Sequence, residues 1–349
     1  MLASPPRTVC LLRLSALGDT CHVVPLLRTL QQAWPATQFT WIVGKAEARL
    51  MGLIEGVEFI TVDKRAGAFG ARRQLRQRLA GRRFDVLLHL QLAMRASLLA
   101  QVVQADVKLG FDRPRARELQ WLFTNARIAP QRNEHVLDSF FGFAEALGVR
   151  ERLLRFDLPL SAEALDYAAR LIPDAQRTLV VSPCSSHGLR NWSAARYAAV
   201  ARHALERHGM RVILAGGPSA LEQEMGAAIA REAGAGLVNQ IGRDTLPQLL
   251  ALLARATVLL SPDSGPAHMA TMVGTPVIGL YAATRSRRSG PYLSRGWCVD
   301  EYASAARRFR GREPQELPWT EKIEEPGVMD LISVASVTRK LDELLESRL

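Results

Sequence analysis

Ser264 and His268 stand four residues apart, directly after the apolar run 257–260, in the segment SPDSGPAHMA (residues 261–270). A second apolar run, 276–281, follows Gly274. This order describes a strand, a turn, a short helix and another strand. Such a turn aims free backbone N–H groups and the positive end of a helix at whatever lies above it, which suits a phosphate. Residues four apart share a helical face, so the Ser264 hydroxyl and His268 imidazole point the same way. Gly265 lets the backbone approach a ligand closely. An anion site with a hydroxyl and an imidazole suits an enzyme that expels a diphosphate. The plainer alternative is a helix capped by Asp263 or Ser264, with His268 structural.

Two further strand ends carry reactive side chains. The first strand leads into RLSALGDTCH (residues 13–22), with Asp19 at the start of a helix. Asp19 reads as a helix cap, as a general base, or as both. Gly18 serves the turn, and His22, three residues on, is either a structural histidine or an acceptor contact. The strand ending at Ser182 leads into PCSSHGLRNWS (residues 183–193). Here Ser185 and Ser186 offer hydroxyls, and Arg190 offers a guanidinium that matches phosphate geometry; the alternative is a surface loop. Trp192 is expected to anchor this loop in the core. After a third strand comes Gly216-Gly217-Pro218, with Glu222 placed to accept from ribose hydroxyls or simply solvated. Asp244 and Thr245 are placed to cap a following helix.

These turns need a scaffold that exposes strand ends. Strand-like runs at 8–14, 38–43, 59–62, 86–90 and 107–110 alternate with helical patterns, including 20–33 with Val23, Leu26, Leu27 and Leu30 on one face. Residues 111–134 read as loop, and 135–147 as helix. Residues 149–177 read as a linker with one helix. The alternation restarts at 179–182, 212–214, 237–239 and 257–260, with helices from Ser193 to Gly209, to about 233, and over 246–254. This is the pattern of an α/β protein with two Rossmann-like domains, each a parallel sheet binding ligands at its strand C-terminal ends. Ligands are expected in a cleft between them.

Composition narrows the function classes. The chain has 349 residues, 48% hydrophobic and 23% charged, with no apolar run near the roughly 20 residues of a membrane span. No signal-peptide pattern precedes the first strand, so a cytoplasmic protein is expected. Cys10, Cys21, Cys184 and Cys298 are widely spaced, without a zinc pattern. No D-x-D or H-E-x-x-H occurs, so no metal is expected. The missing G-x-G-x-x-G after the first strand argues against a nicotinamide or flavin oxidoreductase, and neither a P-loop nor a G-x-S-x-G is present. The formal charge of +11 favours anionic partners, with Arg72, Arg73, Arg76, Arg78, Arg82 and Arg83 in one helical stretch. That stretch also reads as an ordinary solvated face. No nucleic-acid module is recognisable, and nucleic acid is not expected as a partner.

Three stretches together resemble glycosyltransferase family 9, the ADP-heptose:lipopolysaccharide heptosyltransferases. They are LLRLSALGDTCHVVPLLRTL (11–30), SPCSSHGLRNWSAARY (182–197) and LSPDSGPAHMATMVGTPVIGLY (260–281). Order and spacing match over roughly residues 8–340. The resemblance implies a GT-B fold and an inverting transfer of heptose from ADP-heptose to the inner core of lipopolysaccharide. It implies Kdo-lipid A or the first heptose as the acceptor. It implies an acceptor domain over 1–175, a donor domain over 176–330, and a helix over 331–349 folding back on the first domain. It makes Asp19 the catalytic base, with Gly18 and His22 on the acceptor side. Ser185, Ser186, Arg190, Glu222, Asp263, Ser264, Gly265 and His268 fall to the donor. No cofactor is implied, and Mg²⁺ would at most speed ADP release. The basic charge would steer the protein to the anionic acceptor at the cytoplasmic face of the inner membrane, as a peripheral contact. The family pattern K-[RH]-W is here Arg190-Asn191-Trp192, which keeps the charge and changes its geometry. Two alternatives remain: a family 9 enzyme using another nucleotide-sugar, and a non-catalytic nucleotide-sugar binding protein.

Overall fold

A computed structural model describes residues 4–174 and 176–347. The chain divides into two compact units, Met1–Pro159 and Leu160–Leu349. The first holds β1 (Thr8–Leu12), α1 (Leu17–Ala33), β2 (Gln38–Gly44), α2 (Ala48–Met51), β3 (Val57–Val62), α3 (Gly67–Arg78), β4 (Phe84–His89), α4 (Met94–Ala100), β5 (Ala105–Gly110), β6 (Ala126–Arg127) and α5 (Val136–Ala146). The second holds α6 (Ala162–Leu171), β7 (Thr178–Val181), α7 (Ala194–His208), β8 (Arg211–Leu214), α8 (Ala220–Ala233), β9 (Leu237–Asn239), α9 (Leu246–Arg255), β10 (Val258–Pro262), α10 (Gly265–Met272), β11 (Val277–Tyr281), α11 (Ser286–Ser289), β12 (Val299–Asp300), α12 (Tyr302–Arg310) and α13 (Val334–Glu346).

Both units carry a six-stranded sheet, ordered β3-β2-β1-β4-β5-β6 and β12-β11-β10-β7-β8-β9. The strand pairings are parallel. Numbered within its own unit, each sheet therefore runs 3-2-1-4-5-6, the doubly wound order. The strand order reverses between β1 and β4, and again between β7 and β10. Ligand crevices open at such points, beyond the strand C-terminal ends.

Continuous apolar strands fill both cores, as sheets covered on two faces require. Val9, Cys10, Leu11 and Leu12 of β1 are fully buried, as are Val23, Leu26, Leu27 and Leu30 of α1. Each such side chain contributes roughly 1.5–3 kcal/mol by leaving water. α1 starts three residues earlier than its apolar pattern suggests, because Leu17, Gly18 and Asp19 form its first turn. β12 and α12 escape the periodicity reading, the strand being only two residues long.

The domain layout differs from expectation in two respects. The units divide after Pro159 rather than at 175/176, and residue 175 lies outside the described residues. α6, the one helix expected within the linker, packs on α9 of the second unit. The final helix also belongs to that unit. Val337, Leu341, Leu344 and Leu345 of α13 join the core formed by α7, β8 and β11. An amphipathic helix buries its apolar stripe on the nearest open core, and α7 supplies that surface here.

Candidate active site

At the second switch point, β7 and β10 run side by side. Their exit loops, 182–193 and 263–264, must therefore meet. Ser264 is the N-cap residue of α10, but its hydroxyl makes no capping bond. It pairs instead with the Ser261 hydroxyl at 2.7 Å. The first turn of α10 is thus left without a side-chain cap, the condition for receiving an anion. His268, one turn into α10, places Nε2 4.0 Å from Asp263 Oδ1. Asp263 Oδ2 accepts from the Ser289 hydroxyl at 3.2 Å and lies 3.8 Å from Arg190 Nη1. The expected donor residues Arg190, Asp263, Ser264 and His268 are thereby brought together, with Gly265 between them as the first residue of α10.

The β7 loop is held by its own side chains. Asn191 Oδ1 accepts from Ser185 N–H at 2.7 Å. Trp192, fully buried, donates Nε1–H to the Ile332 carbonyl at 3.1 Å, so it is the expected anchor. Ser185 is buried, whereas Ser186 is exposed. Ser193 occupies the N-cap of α7 without a side-chain bond, and Gly209 ends that helix in the left-handed conformation it favours.

Two charged residues that spacing did not reveal complete this cluster. Glu324 accepts from Arg190 Nε at 2.8 Å and Nη2 at 2.5 Å. It also lies 3.5 Å from His187 Nε2. Burial pushes the Glu324 carboxyl up, but the Arg190 hydrogen bond and charge outweigh it and hold it below the usual carboxylate range. Lys322 is lowered by burial first, then by the Arg190 charge, with Glu324 opposing. Ile323 N–H donates to the Ala283 carbonyl at 2.8 Å, which lays this segment beyond the end of β11. Arg190 and Glu324 are 134 positions apart, beyond the reach of any motif.

Glu222 has a local task. Its Oε1 accepts from Gly217 N–H at 2.7 Å, and its Oε2 from the Ser219 hydroxyl at 2.6 Å. It braces the turn after β8, and a ribose hydroxyl would have to share those oxygens. Thr245 and Gln248 form a capping box on α9, so Thr245 is the cap. Asp244 instead has Oδ2 buried without a hydrogen bond. Burial, opposed by a backbone hydrogen bond and aided by the Glu222 charge, lifts its carboxyl to about 7.

In the first unit, Asp19 lies in the first turn of α1, at the exit of β1. Its Oδ2 accepts from Ala16 N–H at 3.3 Å and forms an ion pair with Arg13. Both contacts use Oδ2, so Oδ1 is left to take a proton, on a side chain 33% exposed. Arg13 is fixed in turn by the Leu90 carbonyl, at 2.6 Å from Nη1 and by the Phe140 ring, 5.6 Å from its guanidinium carbon. The β1 and β4 exits are tied where Gln91 Oε1 accepts from Leu14 N–H at 2.7 Å. His89, enclosed behind this loop, bonds the Ser97 hydroxyl. Burial first, then Arg13 and Lys108, lower its pKa to about 3, so the ring is neutral.

Gly18 is buried as the second residue of α1. His22 packs inside the first unit. It is 2% exposed and meets the His135 ring edge-on at 5.2 Å. Three residues after Asp19, its side chain lies in the α1–α5 contact. The arginine-rich stretch is split. Arg82 pairs with Glu58 and Arg83 with Asp106, while Arg73, Arg76 and Arg78 are exposed on α3. Among the described residues, no helix is long and apolar enough to cross a membrane.

Comparison with known proteins agrees with this architecture. Lipopolysaccharide core heptosyltransferase OpsX of Haemophilus influenzae is 38% identical over 344 residues, covering 99% of each chain. Among solved structures, a glycosyl transferase family 9 protein from Veillonella parvula superposes with a TM-score of 0.79 at 22% identity, over 98% of this chain and 97% of that one. The E. coli heptosyltransferase WaaC with ADP gives 0.75 at 22% identity, over 97% and 99%. Both share the two-domain α/β fold. The family model for glycosyltransferase family 9 (heptosyltransferase) matches residues 72–316. With two doubly wound units, an uncapped helix start at the second switch point and these relatives, the chain belongs to glycosyltransferase family 9 and is a transferase.

Proposed function

We propose that the protein transfers heptose from ADP-heptose to the inner core of lipopolysaccharide, with inversion at the anomeric carbon. The observation that carries this reading is the uncapped start of α10, flanked by Arg190 and His268 and set at the β7/β10 switch point. It is supported by the 38% identity to a lipopolysaccharide core heptosyltransferase over nearly the whole chain.

The acceptor hydroxyl attacks the anomeric carbon, the bond from that carbon to the diphosphate oxygen breaks, and ADP leaves. Asp19 Oδ1 takes the hydroxyl proton late in the step, since an oxocarbenium-like transition state needs little nucleophile charge early. The α10 N–H groups, Arg190 and His268 receive the charge that develops on the diphosphate. Ser185 and Ser186 add hydroxyl donors, and Glu222 is the candidate for the ribose. These groups are fixed by the fold, so the transfer itself runs without a divalent ion, and added Mg²⁺ acts only on ADP release. The exposed arginines of α3 favour an anionic acceptor and a peripheral contact with the inner-membrane surface on its cytoplasmic side.

The test is initial rate with a panel of nucleotide-sugars and a Kdo-lipid A acceptor, with and without EDTA. ADP-heptose should be preferred, and most of the rate should survive the chelator. Preference for another nucleotide-sugar would move the enzyme elsewhere in the family. Binding of nucleotide-sugars without turnover on any acceptor would make it a binding protein. Loss of rate in EDTA, restored by Mg²⁺ or Mn²⁺, would reassign the electrophile to a metal.

A further inference from the structure

At the far end of α7 lies a second cluster of polar side chains. His203 Nε2 and His208 Nε2 each stand 2.6 Å from the same oxygen, Oδ1 of Asp342 on α13. The three candidate ligand atoms lie within 4.8 Å of one another. The two imidazole rings meet at 5.3 Å with 68° between their planes. His208 is the last residue of α7, and Gly209 turns the chain away in the left-handed conformation.

We propose that His203, His208 and Asp342 form a binding site for a divalent first-row transition ion, Zn²⁺ fitting best, that clips α13 onto α7. Two imidazoles and one carboxylate make an N₂O donor set, and such a set selects this class of ion over Mg²⁺ or Ca²⁺. With bonds of about 2.0–2.1 Å, tetrahedral ligands lie roughly 3.3 Å apart. Each Nε2···Oδ1 distance must therefore open by about 0.7 Å. Binding moves each imidazole proton to Nδ1, frees Nε2 to donate its lone pair, and breaks the two hydrogen bonds to Asp342. The side chains are 17–22% exposed, so a water can take the fourth position. Arg207 Nε, 3.8 Å from Asp342 Oδ2, is the cation that competes, and its side chain is 66% exposed and can turn away.

The site is separate from the donor site. α7 starts beside the donor loop and ends at His208, about 21 Å along its axis at 1.5 Å per residue. The ion therefore affects stability and not the transfer step.

The experiment uses the full chain stripped by a chelator. Co²⁺, titrated with visible spectroscopy, should bind at one equivalent with the intense bands of a low-coordinate ion. Zn²⁺ should displace it and raise Tm. His203→Gln and Asp342→Asn, which keep hydrogen-bonding groups and size, should lose the bands and the Tm response while retaining turnover. On the wild-type chain alone, Zn²⁺ followed by imidazole ¹H–¹⁵N NMR should shift two histidine rings at one equivalent. Co²⁺ binding equal in wild type and both variants, or Zn²⁺ shifts absent or spread over other histidines, would overturn the assignment.

Discussion

Arg190 gives two N–H groups to a single oxygen of Glu324 while its third nitrogen reaches toward Asp263. The guanidinium is thus held between two carboxylates beside the open start of α10. Glu324 orients it, yet its charge opposes an incoming diphosphate. Glu324→Gln keeps an acceptor and removes that charge. ADP affinity should rise on the order of tenfold at low salt, the effect of one nearby charge in partly screened surroundings. Arg190→Ala should instead lower kcat more than it changes acceptor KM, and Arg190→Lys should recover a good part of it. Calorimetry with ADP and steady-state rates read both outcomes; a Lys variant no better than Ala would mean that the fork geometry, not the charge, is what matters.

Asp19 has one carboxylate oxygen, Oδ1, that takes no hydrogen bond among the described residues, at the exit of β1. Replacement by Ala should lower kcat by on the order of 10²–10⁴ and leave ADP affinity nearly unchanged. A variant that turns over near the wild-type rate would leave Asp19 with only its bond to Ala16 N–H.

The proposed donor pocket can be probed without touching Asp19. His268→Ala should weaken ADP binding and slow turnover. Gly265→Val should block the donor sterically at the first residue of α10. Unchanged ADP affinity in both variants, by calorimetric titration, would place the diphosphate elsewhere.

Asp244 couples stability to pH. Its carboxyl is raised to about 7, burial being the main cause. The folded chain then binds this proton more tightly than the unfolded chain, whose Asp titrates near 3.9. Stability from this group is greatest below about pH 4, falls as pH rises, and is fully lost above about pH 7. Asp244→Asn should thus raise stability at pH 8 on the order of 2 kcal/mol, roughly 4–8 °C in Tm for a domain of this size. The gain should shrink toward zero near pH 4. Thermal unfolding at the two pH values checks the sign; an equal gain at both would detach it from the proton.

Much of this arrangement is legible in the sequence because it is local. The α1 face, the Gly209 helix end and the strand-turn-helix at 261–268 each follow from residues within one or two turns of one another. What stayed hidden depends on the chain returning from far away. Glu324 and Lys322 reach Arg190 only after the chain has passed beyond β11. His22 stayed open between a structural and a binding role because its neighbour His135 comes from the start of α5, more than 100 residues on. The destination of α13 could not be read either, since an amphipathic stripe says that a surface is needed and not which one. Asp244 looked like a cap, and Thr245 took that role because its hydroxyl reaches Gln248 N–H.

Trp192 donates to the carbonyl of Ile332, and Arg196 bonds the Asp330 and Ile332 carbonyls. The loop that precedes α7 is therefore braced by residues near the end of the chain. During synthesis, N-terminal domains fold first and as units. A nascent chain can complete its first sheet while the loop at 182–193 still lacks its brace, which arrives only once residues 330–332 have been made. A firmly held loop 182–193 is thus a late event in the life of each molecule, and a chain broken off before residue 330 would have Asp19 in place while that loop lacked the contacts that hold it.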